Sequence, residues 1–135
     1  MSNSYIIVDI DGTIAFRGER DPYCWEDVIN DEPNKSIISL IMELEQWNDL
    51  IFVSGRKDLC RNDTITWLKK YGFDDFELHM RRADDYRSDE IVKKEIYEKH
   101  IYPRQVRWVF DDRDKVVKMW RELGLTCLQV ADGDF

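Results

Sequence analysis

Tyr5-Ile6-Ile7-Val8-Asp9-Ile10-Asp11-Gly12-Thr13 is the stretch whose reading decides the fold. A short apolar run that ends in two closely spaced carboxylates is the pattern of a buried strand delivering polar groups at its carboxyl end. In open α/β sheets that end is where ligands bind, in the crevice outside the strands. Gly12 then allows the chain to turn sharply away.

Working outward, apolar runs alternate with amphipathic segments along the whole chain, the signature of a parallel sheet wrapped by helices. Strands are expected near residues 5 to 10, 50 to 54, 76 to 80, 107 to 111 and 126 to 130. Between them, Ile37, Leu40, Ile41, Leu44 and Trp47 recur at helical spacing, as do Val116, Val117, Trp120 and Leu123. Asn62 or Asp63 can open a helix through Trp67, Leu68 and Tyr71, and Ser88 can cap one carrying Val92, Ile96 and Tyr97. Gly124 stands where a glycine ends a helix. The fold class is therefore α/β, a Rossmann-like parallel sheet of about five strands flanked by helices. The segment from Phe16 to Asn34, broken by Gly18, Pro22 and Pro33, predicts a loop or very small flap, a minimal cap beside the first strand end.

A chain of 135 residues, 43% hydrophobic with five Trp, six Tyr and six Phe, carries one core and suggests one domain over residues 1–135. No stretch approaches membrane-spanning length, and Met1-Ser2-Asn3-Ser4 lacks the flank of a signal peptide. Cys24, Cys60 and Cys127 show no C-x-x-C spacing, so a reducing cytoplasm is expected rather than a zinc site or disulfide framework. The net charge of −8 argues against holding nucleic acid by broad electrostatic attraction, without excluding an enzyme that visits a strand end.

A second acidic pair, Asp111-Asp112, follows the apolar run Trp108-Val109-Phe110. Carboxylates gathered from two strand ends repel unless a hard divalent cation such as Mg²⁺ neutralises them. The pair could equally cap the following helix, where Asp is favoured. Ile51-Phe52-Val53-Ser54-Gly55-Arg56 adds a hydroxyl and a guanidinium suited to phosphate oxygens, or an ordinary turn. Asp89 and Lys93 share a helix face at i and i+4, as an oriented ammonium or as a surface ion pair. Each pattern alone is weak; acid pair, hydroxyl, lysine and second acid pair in that order, each beside a strand end or helix start, point together to phosphoryl transfer.

This conjunction resembles the haloacid dehalogenase superfamily. More narrowly, Arg20-Asp21-Pro22-Tyr23, Val53-Ser54-Gly55-Arg56, Asp89-Glu90-Ile91-Val92-Lys93, Asp111-Asp112-Arg113 with Met119-Trp120-Arg121, and Gly133-Asp134-Phe135 resemble the 3′-phosphatase domain of phage polynucleotide kinase. The resemblance implies a Mg²⁺-dependent polynucleotide 3′-phosphatase, acting on DNA or RNA ends with 2′,3′-cyclic phosphate as a further substrate to consider, in phage or bacterial cytoplasm. It implies Asp9 as nucleophile, Asp11 as general acid and base, and Ser54 and Lys93 on the transferring phosphoryl group, with Asp89 orienting Lys93. Metal ligands would be Asp9, the Asp11 carbonyl and Asp111, with Asp112 acting more remotely or through water. Thr13, Arg20 and Arg56 would serve the substrate phosphate or adjoining nucleotide. No G-x-x-x-x-G-K-[ST] segment is present, so the resemblance implies a free-standing phosphatase with any 5′-kinase activity absent or carried by another chain, a separate kinase or ligase being the partner to consider. The competing expectations are a small-molecule or mononucleotide phosphatase with the same apparatus, and a non-catalytic receiver-like phosphate sensor.

Overall fold

A computed structural model describes residues 4–18 and 25–135. Five strands, β1 (Tyr5–Val8), β4 (Asp49–Lys57), β5 (Phe76–Arg81), β6 (Val106–Asp111) and β7 (Cys127–Gln129), form a wholly parallel sheet in the order β5-β4-β1-β6-β7. Four helices connect them: α1 (Lys35–Leu44), α2 (Arg61–Lys70), α3 (Asp89–Ile96) and α4 (Asp114–Glu122).

Alternation along the central strands explains the three layers. Ile6 and Val8 of β1, Leu50 and Phe52 of β4 and Phe110 of β6 pack on one face with Ile38, Ile41, Trp67 and Leu68 from α1 and α2. Their neighbours Ile7, Ile51, Val53 and Val109 face Val92, Ile96, Val116, Val117 and Trp120 from α3 and α4. Because both faces are covered, the strands read as unbroken apolar runs. Truncating a fully buried residue such as Ile7 to alanine should cost about 2–5 kcal/mol.

The chain leaves β1 toward β4 on one side and returns to β6 on the other, so the strand order reverses between β1 and β6. Val8 pairs with Phe110, and the next residue, Asp9, still donates its N–H to the Phe110 carbonyl at 2.9 Å. The carboxyl ends of these two strands therefore lie side by side at the topological switch point, where α/β sheets bind ligands.

Two expected boundaries are corrected. Strand β4 continues to Lys57 instead of ending near Ser54, with its register against β5 shifting between Ser54 and Lys57. That irregularity lets Arg56 turn inward, its N–H bonded to Ser54 Oγ at 3.1 Å. Trp47, expected on the apolar face of α1, lies beyond the helix end and is 73% exposed. The flap contains a two-residue antiparallel ribbon, β2 (Ala15–Phe16) with β3 (Glu32–Pro33), and a 3₁₀ turn over Trp25–Asn30. Among the described residues no helix is long and apolar enough to cross a membrane.

Candidate active site

At the switch point the Asp9 carboxylate is held from two sides. Lys93 Nζ donates to Oδ1 at 2.7 Å, and Thr13 Oγ1 donates to Oδ2 at 2.9 Å. Thr13 can reach back because Gly12, at φ +83°, reverses the chain directly after Asp11. Lys93 comes from α3, across the sheet face, and also donates to Asp111 Oδ2 at 3.0 Å. Asp111, ending β6, accepts further bonds from Trp120 Nε1 at 3.2 Å and from the Asp112 N–H at 2.8 Å. Each of these side chains is thus fixed by a partner from another element.

Asp9, Asp111 and Asp112 each turn a carboxylate oxygen to within 4.8 Å of the others, and all three are buried. One buried ammonium faces three carboxylates. Burial first, then Asp111 and Asp112, push the Asp9 carboxyl well above the ordinary carboxylate range, against the pull of Lys93. Burial and Asp111 raise Asp112 as well. Lys93 shows the complementary response: burial alone would lower it, and Asp111, Asp9 and Asp89 together hold it well above the usual lysine value. Both shifts describe surplus negative charge around one cation. An all-oxygen, buried donor set with that surplus fits a hard divalent ion.

Asp11 points elsewhere. Its carboxylate receives a two-pronged bond from Arg56, Nε to Oδ2 at 2.9 Å and Nη2 to Oδ1 at 2.7 Å. Arg56 is itself buried and also donates to Asp31 Oδ2 and to Thr64 Oγ1, both at 3.0 Å. Burial alone would lower its pKa, and Asp11 and Asp31 more than offset that. Arg56, expected to serve the substrate phosphate or adjoining nucleotide, has its guanidinium engaged by Asp11, Asp31 and Thr64.

Asp89 also departs from the simple i, i+4 picture. Arg81 Nη2 bonds its Oδ1 at 2.8 Å and Arg113 Nη1 lies 3.6 Å from its Oδ2. It reaches Lys93 through charge: burial would raise the Asp89 pKa, and Lys93 and Arg81 bring it below the ordinary value. Arg81 is in turn tied to Gly55 O at 2.8 Å. Gly55 gives Asp89 its place, since a Cβ there would meet Asp89 Oδ1 at 2.1 Å.

Asp9, Asp11, Gly55, Arg56, Asp89, Lys93, Asp111, Asp112, Arg113 and Phe135 line a cleft of about 200 Å³. Ser54 and Thr13 are buried and do not line the cleft, Thr13 donating to Asp9. Arg20, with Tyr23, lies outside the described residues. Sequence reasoning missed Asp31, Thr64, Arg113 and Phe135 as neighbours of the site. Only the last two carried any signal, through their places in the resembling runs.

The family model of the polynucleotide kinase PNKP phosphatase domain matches residues 3–135. The chain belongs to that family. Three relatives illustrate the likeness. A protein designated a bifunctional polynucleotide kinase/RNA ligase, from Autographa californica nuclear polyhedrosis virus, is 35% identical over 124 residues, covering 87% of this chain and 18% of that protein. A chain in a solved Pnkp1/Rnl/Hen1 RNA repair complex superposes with a TM-score of 0.94 at 38% identity, over 99% of this chain and 44% of that one. A haloacid dehalogenase-like hydrolase from Streptococcus pneumoniae shares the fold, with a TM-score of 0.63 at 14% identity over 93% of this chain and 83% of that one. The chain thus spans less than half of the first two relatives. It has the haloacid dehalogenase fold, and the family to which it belongs is that of a phosphatase domain. The expectation of a non-catalytic phosphate sensor gives way to membership in a phosphatase family.

Proposed function

We propose that residues 1–135 form one phosphatase domain that removes the 3′-terminal phosphate from polynucleotide ends through an aspartyl-phosphate, with Mg²⁺ as the metal. The observation that carries this reading is Asp9 at the switch point, aligned by Thr13 and Lys93 and facing an open cleft beside Asp111 and Asp112. An Asp9 carboxylate oxygen forms a bond to phosphorus as the bond from phosphorus to the 3′-oxygen breaks. Asp11 gives its proton to that departing oxygen, then takes one from the water that hydrolyses the acyl-phosphate. The Arg56 fork fixes the Asp11 carboxylate for both transfers. Lys93 and Ser54 donate to the phosphoryl oxygens, the Ser54 Oγ accepting the Arg56 N–H while its own O–H stays available to donate. Asp9, Asp111 and Asp112 side chains and the Asp11 carbonyl would hold Mg²⁺, which supplies charge neutralisation to the acids and to the phosphate.

Arg20 is proposed as the arginine that meets the substrate phosphate directly, because Arg56 is enclosed. The relatives named for kinase, ligase and RNA repair support a polynucleotide substrate and a kinase or ligase partner, on this chain or another. The deciding experiment offers 3′-phosphorylated DNA and RNA oligonucleotides, a 3′-mononucleotide and a 2′,3′-cyclic phosphate end to the enzyme with Mg²⁺ and with chelator. Metal-dependent release of phosphate from the oligonucleotides, at higher kcat/KM than from the mononucleotide, is expected. A preference for the mononucleotide would replace this reading with a small-molecule phosphatase.

A further inference from the structure

Among the described residues, every residue lining the cleft except Phe135 and Gly55 is of a charged type. Phe135 remains 62% exposed although it belongs to a well-anchored segment. Gly133 O accepts the Asp114 N–H at 2.9 Å, and Gly133 packs so tightly on the loop after β6 that a Cβ would lie 1.8 Å from Asp112 O. The Phe135 carbonyl accepts Arg113 Nε at 2.8 Å, and the Arg113 guanidinium lies 5.0 Å over the ring centroid. Arg113 also faces Asp89, so the ring is linked to the wall of the site. The ring is thus held by Arg113 while most of it stays in contact with water at the edge of a charged cleft.

We propose that the Phe135 ring is the stacking platform for the nucleobase of the 3′-terminal, phosphorylated nucleotide, with Arg113 fixing the ring. The proposal rests on the polynucleotide-end reading and specifies which part of the end is read. Stacking suits such an enzyme because every base has a π-face, so recognition tolerates all four bases. Among the described residues, two further exposed aromatics, Tyr86 at 79% with Lys57 Nζ 4.1 Å from its ring centre and Phe16 of β2 at 44%, do not line the cleft. Among the described residues, Phe135 is therefore the aromatic that lines the cleft where the phosphate-bearing nucleotide would lie.

The test compares two otherwise identical 3′-phosphorylated oligonucleotides, one with a base on the terminal sugar and one with a stable abasic tetrahydrofuran there. Parent, Phe135→Ala, Phe135→Leu and Phe135→Trp enzymes are assayed on both. The parent should show a KM about fivefold to a hundredfold lower for the base-bearing end. That ratio should collapse toward one in Phe135→Ala and Phe135→Leu and persist in Phe135→Trp. Leucine retains apolar bulk and the backbone bond to Arg113, so a ratio preserved in Phe135→Leu would overturn stacking and leave the ring a packing role. A parent enzyme active on both ends without discrimination would also overturn it. Absence of activity on either end would instead bring down the polynucleotide reading itself.

Discussion

Arg56 and Asp11, 45 residues apart in sequence, meet through two parallel N–H bonds of 2.9 and 2.7 Å, and the same guanidinium closes on Asp31. An arginine expected at the substrate is thus placed behind the proposed general acid. A planar fork fixes both oxygens of a carboxylate, which an ammonium cannot reproduce.

Arg56→Lys should therefore act through Asp11. On a 3′-phosphorylated end, kcat should fall on the order of 10²-fold or more, the scale of general acid–base catalysis. With p-nitrophenyl phosphate, whose leaving group departs without a proton, the first step needs no acid and the loss should be much smaller. Equal losses on the two substrates would mean that Arg56 acts on phosphate or on the fold. Arg56→Ala should also lower stability, because the buried Asp31 and the Asp11 carboxylate both lose this guanidinium.

Asp9→Asn should abolish turnover and yet raise the melting temperature of chelator-treated protein. The Asp9 pKa is raised in the folded state, chiefly by burial and then by Asp111, so folding disfavours its ionised form. The cost is absent below the unfolded value of 3.8 and grows as pH climbs from there through the raised folded value. The stability advantage of Asp9→Asn should accordingly be largest at neutral pH and shrink on acidification. Thermal melts in chelator across that range decide it; a parent protein more stable than Asp9→Asn at pH 7 would contradict the surplus-charge account.

The difference between what sequence showed and what it hid follows from range. Strand and helix existence was legible because burial on both faces makes β1, β4 and β6 continuous apolar runs, and because Asp9 and Asp111 follow such runs directly. The pairing of Lys93 with Asp9, 84 residues away, could be placed only by resemblance, since nothing local in α3 distinguishes it from a surface lysine. The partner of Arg56 was illegible for the same reason, compounded by the shift that prolongs β4 to Lys57. Trp47 shows the opposite failure: helical spacing persisted past the point where α1 ends.

Lys93→Met should lower turnover far more than it raises KM, since the ammonium counts most as charge develops on the transferring group. It should also destabilise the metal-free protein, because Asp9 and Asp111 lose their shared cation. A double-mutant cycle with Asp9→Asn separates the two effects. Adding Asp9→Asn to Lys93→Met should recover stability without recovering activity; additive stability losses would show that the two side chains do not share this burden.

Two glycines at similar backbone angles should behave differently. Gly12, at φ +83°, would place a Cβ 2.1 Å from Asp112 Oδ2, whereas Gly124, at φ +85°, has nothing within 4 Å. Gly124→Ala should cost only the left-handed backbone penalty of about 1–2 kcal/mol, with activity retained. Gly12→Ala should additionally displace Asp112 and raise the Mg²⁺ concentration needed for half-maximal activity. Metal titrations of the two variants at matched folded fraction check this, and indistinguishable curves would remove Asp112 from the metal site.

Recognition of the substrate should be confined to its end. A protein that follows a nucleic-acid backbone loses affinity steeply with salt, because each neutralised phosphate releases counterions. Here 20 Lys and Arg oppose 28 Asp and Glu, and Arg56, Arg81 and Arg113 are engaged by partners within the fold. The proposed contacts are few, Arg20 to the phosphate and Phe135 to the terminal base. On 3′-phosphorylated oligonucleotides kcat/KM should therefore level off once the strand exceeds a few nucleotides, and the logarithmic salt slope should correspond to few phosphate contacts. Arg20→Ala should impair the reaction at every length, by contrast with a groove residue, whose removal would matter only for long strands. Rates that kept rising with length under a steep salt dependence would require an extended basic groove, which the acidic balance of this chain argues against.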